Sequence, residues 1–199
     1  MSTTQVFVEL LITGFGGLIW IILFVCELCG FNISAVLFGD YPTILIFPIS
    51  GIAYIIGILV DRIGYQIFIK HEKKHIPGVF QQDNEKVGYP MTEGEIYVEL
   101  MIAYIMQNSE QLKAQIDYNR TRLRLCRSWI LNFGLIFLSL VLPAVASGGV
   151  DQRLFVVFSI LSLLLGVASF TIWKKLAKDY YVNIKTSYDV LKNQLLENK

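Results

Sequence analysis

Between Ser128 and Ala146 the chain runs roughly 19 residues without a charge, the length that crosses a hydrocarbon core as a helix. Directly before it, Arg120, Arg122, Arg124 and Arg127 fall within eight residues. That junction of charge and apolar sequence, Asn119 to Ala146, dictates a membrane protein. Three further runs of the same kind accompany it: about Val6 to Cys29, Thr43 to Val60, and Leu154 to Trp173. A chain of 199 residues with 54% hydrophobic and 17% charged residues is too apolar for a soluble domain of this size. Four spans are expected, in an all-α transmembrane helical bundle.

The flanks of the spans set the expected orientation. Residues 1 to 61 contain no Lys or Arg, residues 62 to 127 contain ten, residues 147 to 152 none and residues 174 to 199 six. By the positive-inside rule both termini and the central segment face the cytoplasm, and residues 30 to 42 and 147 to 152 are short outer loops. No basic region precedes the first apolar run, where Glu9 sits instead, so the first span is expected to be retained rather than cleaved. The organisation expected is spans one and two with a juxtamembrane extension over 1–76, a cytosolic loop over 77–91, and, over 92–199, a long cytosolic helix, spans three and four, and a C-terminal cytosolic helix.

Thr92 with Glu95 forms a capping box, and no Pro or Gly follows Glu95 before the basic run. One unbroken helix from Thr92 to Arg127, about 54 Å long, is therefore expected to feed straight into span three. Its buried stripe is Val98, Ile102, Ile105, Leu112, Ile116 and Leu123. A matching stripe, Leu176, Tyr180, Ile184, Tyr188, Leu191 and Leu195, follows span four. The two extensions are expected to pack as a stalk, within one protomer or between several. After span two, the helix is expected to emerge and lie along or just above the membrane until Pro77 stops it.

Four groups of residues carry possible chemistry. Arg120, Arg124 and Arg127 share a helix face at i, i+4 and i+7, with Arg122 turned aside. Arginines beside a span ordinarily hold headgroups and enforce topology, but guanidinium also grips phosphate in bidentate fashion, and Tyr118 could stack a base. A third possibility is internal pairing with Asp117 or Glu110. Within the spans, Glu9 and Glu27 lie eighteen residues, about five turns, apart on one face. Asn132 and Ser139 recur at i, i+7 in span three, and these four polar residues either line a pore or cavity or glue helices together. Gly14, Gly16 and Gly17 in span one, and Ala53 and Gly57 in span two, permit close helix approach.

The tract HEKKH matches the zinc-hydrolase pattern, with His71 and His75 as metal ligands and Glu72 to activate water. Lys73 and Lys74 between the histidines, and Pro77 close behind, make a basic strip touching headgroups the competing meaning. Cys26, Cys29 and Cys126 are read as free thiols. No Gly-rich phosphate loop and no serine nucleophile motif is present, so no cofactor is implied.

In its ELLITGFGGLIWIIL and GIAYIIGILVDRIGYQIF segments, and in the cytosolic helices built onto spans three and four, the chain resembles the small four-span membrane proteins of bacterial antiphage defence systems. The resemblance implies an oligomeric channel or membrane-disrupting effector of the inner membrane whose cytosolic helices sense a nucleotide or oligonucleotide. Its partners would be the lipid bilayer, further copies of itself and such a ligand. Two other classes stand beside it: a non-catalytic scaffold or sensor for a cytosolic partner protein, and a membrane zinc hydrolase.

Overall fold

In a computed structural model, which describes residues 3–29, 46–73, 93–147 and 152–197, every element is an α-helix. There are five among the described residues: α1 (Thr3–Cys29), α2 (Ile46–Lys73), α3 (Glu93–Asn108), α4 (Glu110–Ser147) and α5 (Gln152–Glu197). Four of them, α1, α2, α4 and α5, are long and apolar enough to cross a membrane, as in a multi-pass membrane protein. The expected loop over 77–91, the expected outer loop over 30–42 and residues 148–151 of the other lie outside the described residues; Ser147 ends α4 and Gln152 begins α5.

Beyond Val60, α2 continues without interruption to Lys73. One boundary differs from the sequence expectation. The helix expected from Thr92 to Arg127 is divided at Ser109. Ser109 Oγ accepts from the Leu112 amide at 3.3 Å, the N-cap arrangement that begins a new helix. The division is local, since Ser109 N–H still donates to the Ile105 carbonyl at 3.0 Å and Lys113 N–H to the Ser109 carbonyl at 3.1 Å. From Glu110 onward α4 is one helix through the arginines and the apolar run to Ser147, as expected.

The described chain forms two compact units. An apolar unit comprises Ser2–Tyr65 and Arg124–Thr171, and a more polar unit comprises Gln66–Leu123 and Ile172–Lys199.

In the apolar unit, α1 meets α2 through glycines. A Cβ on Gly14 would land on the Ala53 carbonyl, and one on Gly57 would land on the Leu10 carbonyl, so the two backbones touch where no side chain fits. Gly51 has no neighbour within 4 Å and takes no part in this contact. Polar side chains then tie α4 to its neighbours. Asn132 Nδ2 donates to the Thr13 carbonyl at 2.9 Å, and Ser139 Oγ to the Trp20 carbonyl at 3.5 Å. Both bonds keep an offset of 119 residues, so α1 and α4 run parallel. Ser162 Oγ of α5 donates to the Phe133 carbonyl at 2.8 Å.

In the polar unit the core is Val98, Met101, Ile105, Ile116, Tyr181, Ile184 and Leu191, with Ile102, Tyr104, Leu112, Tyr180 and Tyr188 packed against it. These come from α3, the first turns of α4 and the last turns of α5. Ile105 and Ile184 are fully buried, and Tyr104 meets Tyr188 edge to face at 5.4 Å between ring centroids. Of the two expected stripes, Val98, Ile102, Ile105, Leu112 and Ile116 from one and Tyr180, Ile184, Tyr188 and Leu191 from the other meet in this core.

Candidate functional site

The apolar unit concentrates its charge around Asp61. This aspartate is the single carboxylate between Asp40 and Glu72, and it projects from α2 where the apolar sequence gives way to polar. Its Oδ2 accepts from Arg124 Nη2 and its Oδ1 from Arg127 Nη2, both at 3.1 Å. The i, i+3 spacing of the two arginines on α4 carries them to the same side of the helix, where one carboxylate can hold both. The Arg127 side chain is 5% exposed, against 25% for Arg124 and 21% for Asp61, so the node passes from the interior to its rim.

The seat of Arg127 is built by small and flat neighbours. A Cβ on Gly64 would come within 3.2 Å of Arg127 Cγ and 3.3 Å of Leu131 Cδ1, so glycine leaves the space the arginine stem fills. The Arg127 guanidinium lies 5.1 Å from the centroid of the Tyr65 ring, and Arg62 lies 5.9 Å from the same ring. Asp61, Arg62, Gly64 and Tyr65 thus form one short stretch of α2 organised around the arginines of α4. Sequence reasoning paired Arg127 and Arg124 with phospholipid headgroups, with a ligand, or with Asp117 or Glu110, and missed Asp61. The signal available was the isolation of one carboxylate at the polar border of a helix that had to pack on another bearing four arginines.

The remaining two arginines belong to the polar unit. Arg120 and Arg122 are exposed, and the Arg122 guanidinium lies 5.5 Å from the ring centroid of Tyr118, itself exposed. Asp61 thus holds Arg124 and Arg127 in the apolar unit, while Arg120 and Arg122 are exposed in the polar unit.

A second cluster of the polar unit joins α2 to α5. Trp173, 1% exposed, donates its indole N–H to Glu72 Oε1 at 3.0 Å and packs edge-on against Phe68 at 4.8 Å. The Glu72 carboxylate, which the zinc-hydrolase pattern would use on water, is buried and accepts this indole; His71 is exposed, and His75 lies outside the described residues. Among the described residues no three His, Cys, Asp or Glu side chains converge as metal ligands. Past the apolar stretch that ends at Trp173, burial raises the Tyr180 phenol above its ordinary range, opposed by Arg120 and reinforced by Asp117 and Glu72.

The intramembrane polar residues divide differently. Asn132 is fully buried and Ser139 nearly so, and both bond to α1, so within a protomer they join helices. Asn132 Oδ1 and Trp20 Nε1 are buried with no hydrogen-bond partner among the described residues. Glu9 is buried in α1 one turn before Thr13. Glu27 lies in α1, but its side chain is outside the described residues. The three cysteines are free thiols, with Cys26 buried and Cys29 exposed.

Comparison with protein-family models, with curated proteins and with solved structures finds no match to this chain.

Proposed function

We propose that the chain is an oligomeric integral membrane effector of a bacterial inner membrane. In this reading four spans form a bundle, both termini are cytoplasmic, and the polar unit is a cytosolic stalk. A nucleotide or short oligonucleotide bound to the stalk gates ion flow or membrane integrity, as the resemblance to antiphage membrane proteins implies. The observation that carries the reading is the pair of outward-facing arginines: Arg120 and Arg122, with Tyr118 beneath Arg122, offer phosphate-gripping groups and an aromatic face that no carboxylate of the described residues occupies. A polyanion that holds these groups more tightly in one arrangement of the stalk shifts the population toward it, and a ligand without that preference shifts nothing.

The test is ion flux from proteoliposomes with and without ATP or short oligoribonucleotides. The wild-type protein responds to one of these polyanions, and the double substitution Arg120→Gln/Arg122→Gln abolishes the response while leaving oligomer size unchanged. Equal flux in both proteins under every polyanion sinks the proposal.

A second reading, a scaffold or sensor for a cytosolic partner protein, draws on Asn132, Ser139 and Ser162. All three donate to carbonyls of neighbouring helices, the use expected of a packed bundle rather than a hydrated path. A partner retained by the polar unit, together with absence of conductance under all conditions, decides for it.

A further inference from the structure

Arg62 stands out within the apolar unit. It is exposed, and among the described residues its one charged or aromatic contact is the Tyr65 ring at 5.9 Å. Asp61, its neighbour in sequence, already holds Arg124 and Arg127. The surroundings are not those of a water-facing cation, because Ile58, Leu59 and Ile63 on the same stretch of helix are all exposed apolar side chains.

An arginine amid apolar surface on a membrane helix must reach a counter-charge, since an isolated cation there is costly. A freely soluble anion would satisfy the guanidinium but leave the isoleucines and leucine uncovered. An anionic phospholipid supplies both parts: a phosphate for the guanidinium and hydrocarbon for the side chains beside it. Tyr65 is the residue type that sits at headgroup level, with an apolar ring and a hydroxyl toward water.

We infer that Arg62 and Tyr65 form a headgroup site for an anionic phospholipid, with the phosphate on the Arg62 guanidinium and the acyl chains along Ile58, Leu59 and Ile63. With Asp61 engaged by Arg124 and Arg127, the Arg62 guanidinium has no carboxylate partner among the described residues and selects anionic over zwitterionic headgroups. Because Tyr65 also lies against Arg127, the lipid sits beside the Asp61 node.

The test is native mass spectrometry of the full chain released from detergent containing phosphatidylglycerol and phosphatidylcholine in equal amounts. Wild type retains phosphatidylglycerol about fivefold more than phosphatidylcholine, the ratio expected from one basic residue. Arg62→Gln lowers retention of phosphatidylglycerol to that of phosphatidylcholine, Arg62→Lys keeps most of it, and the exposed control Lys113→Gln leaves it unchanged, all with wild-type helical circular dichroism. Equal retention of the two lipids by wild type, or undiminished preference in Arg62→Gln, overturns the inference. Displacement of the bound lipid by inorganic phosphate or ATP at matched concentration also overturns it, in favour of a soluble-phosphate site.

Discussion

A single oxygen pair on Asp61 holds two guanidinium groups, and the consequences of its removal are set by what would be left behind. Asp61→Asn keeps the shape but removes the charge that neutralises Arg127, a side chain that is 5% exposed. Leaving a buried cation uncompensated costs more than the pair itself contributes. With the rim of the node still wetted through Arg124, the loss should be about 2–3 kcal/mol. We predict that Asp61→Asn lowers the unfolding temperature in detergent far more than Arg62→Gln, whose partner is an exposed ring. Removing the buried cation as well, with Asp61→Asn/Arg127→Gln, should recover part of the loss, as a double-mutant cycle would read. Gly64 belongs to the same argument. Gly64→Leu would fill the space taken by the Arg127 stem and the Leu131 side chain, so it should destabilise by about 1–3 kcal/mol even though it adds apolar surface.

At the scale of the element, the helices were legible wherever periodicity or hydropathy spoke for many residues together. The stripes of the two polar extensions were readable because Ile105, Ile116, Ile184 and Leu191 repeat at helical spacing, and all four are in the core. Met101 and Tyr181 were not read as core. Each is adjacent to a residue that fits the pattern equally well, and a stripe has no sharp edge until its partner is known. The break at Ser109 was missed for another reason. Search for Pro and Gly finds helix breakers, whereas serine acts by offering its hydroxyl to the Leu112 amide, an alternative available to many serines and used by few. The Asp61 node was illegible because no pattern along one helix states which carboxylate faces a given arginine on another. The core of the polar unit gives a direct check. Ile105→Ala, at a fully buried position, should cost about 2–4 kcal/mol and expose the segment around Ser109 to limited proteolysis, while the substitution Val182→Ala on an exposed site should do neither.

For the whole molecule, the decisive quantity is which ends of the helices share a side of the membrane. The parallel run of α1 and α4 requires the N-terminal ends of both to emerge on the same face, as an in-out, out-in, in-out path through α1, α2 and α4 demands. In the proposed reading that face is cytoplasmic, the side on which the positive-inside rule expects the Lys- and Arg-rich segments. Single cysteines introduced on a background with Cys26, Cys29 and Cys126 replaced by serine make the assignment measurable with a membrane-impermeant maleimide. Positions Gln111 and Lys192 should react only after the inner membrane is opened, and position Gly149, between spans three and four, should react in intact spheroplasts. The opposite labelling at all three sites would reverse the orientation, and mixed labelling of Gln111 and Lys192 would deny that α4 and α5 each cross the bilayer. Orientation matters to function because the outward-facing Arg120 and Arg122 can meet a nucleotide only from the compartment that contains one. A periplasmic position for Gln111 would therefore remove the ligand from reach and with it the gating mechanism, whatever conductance the spans themselves possess.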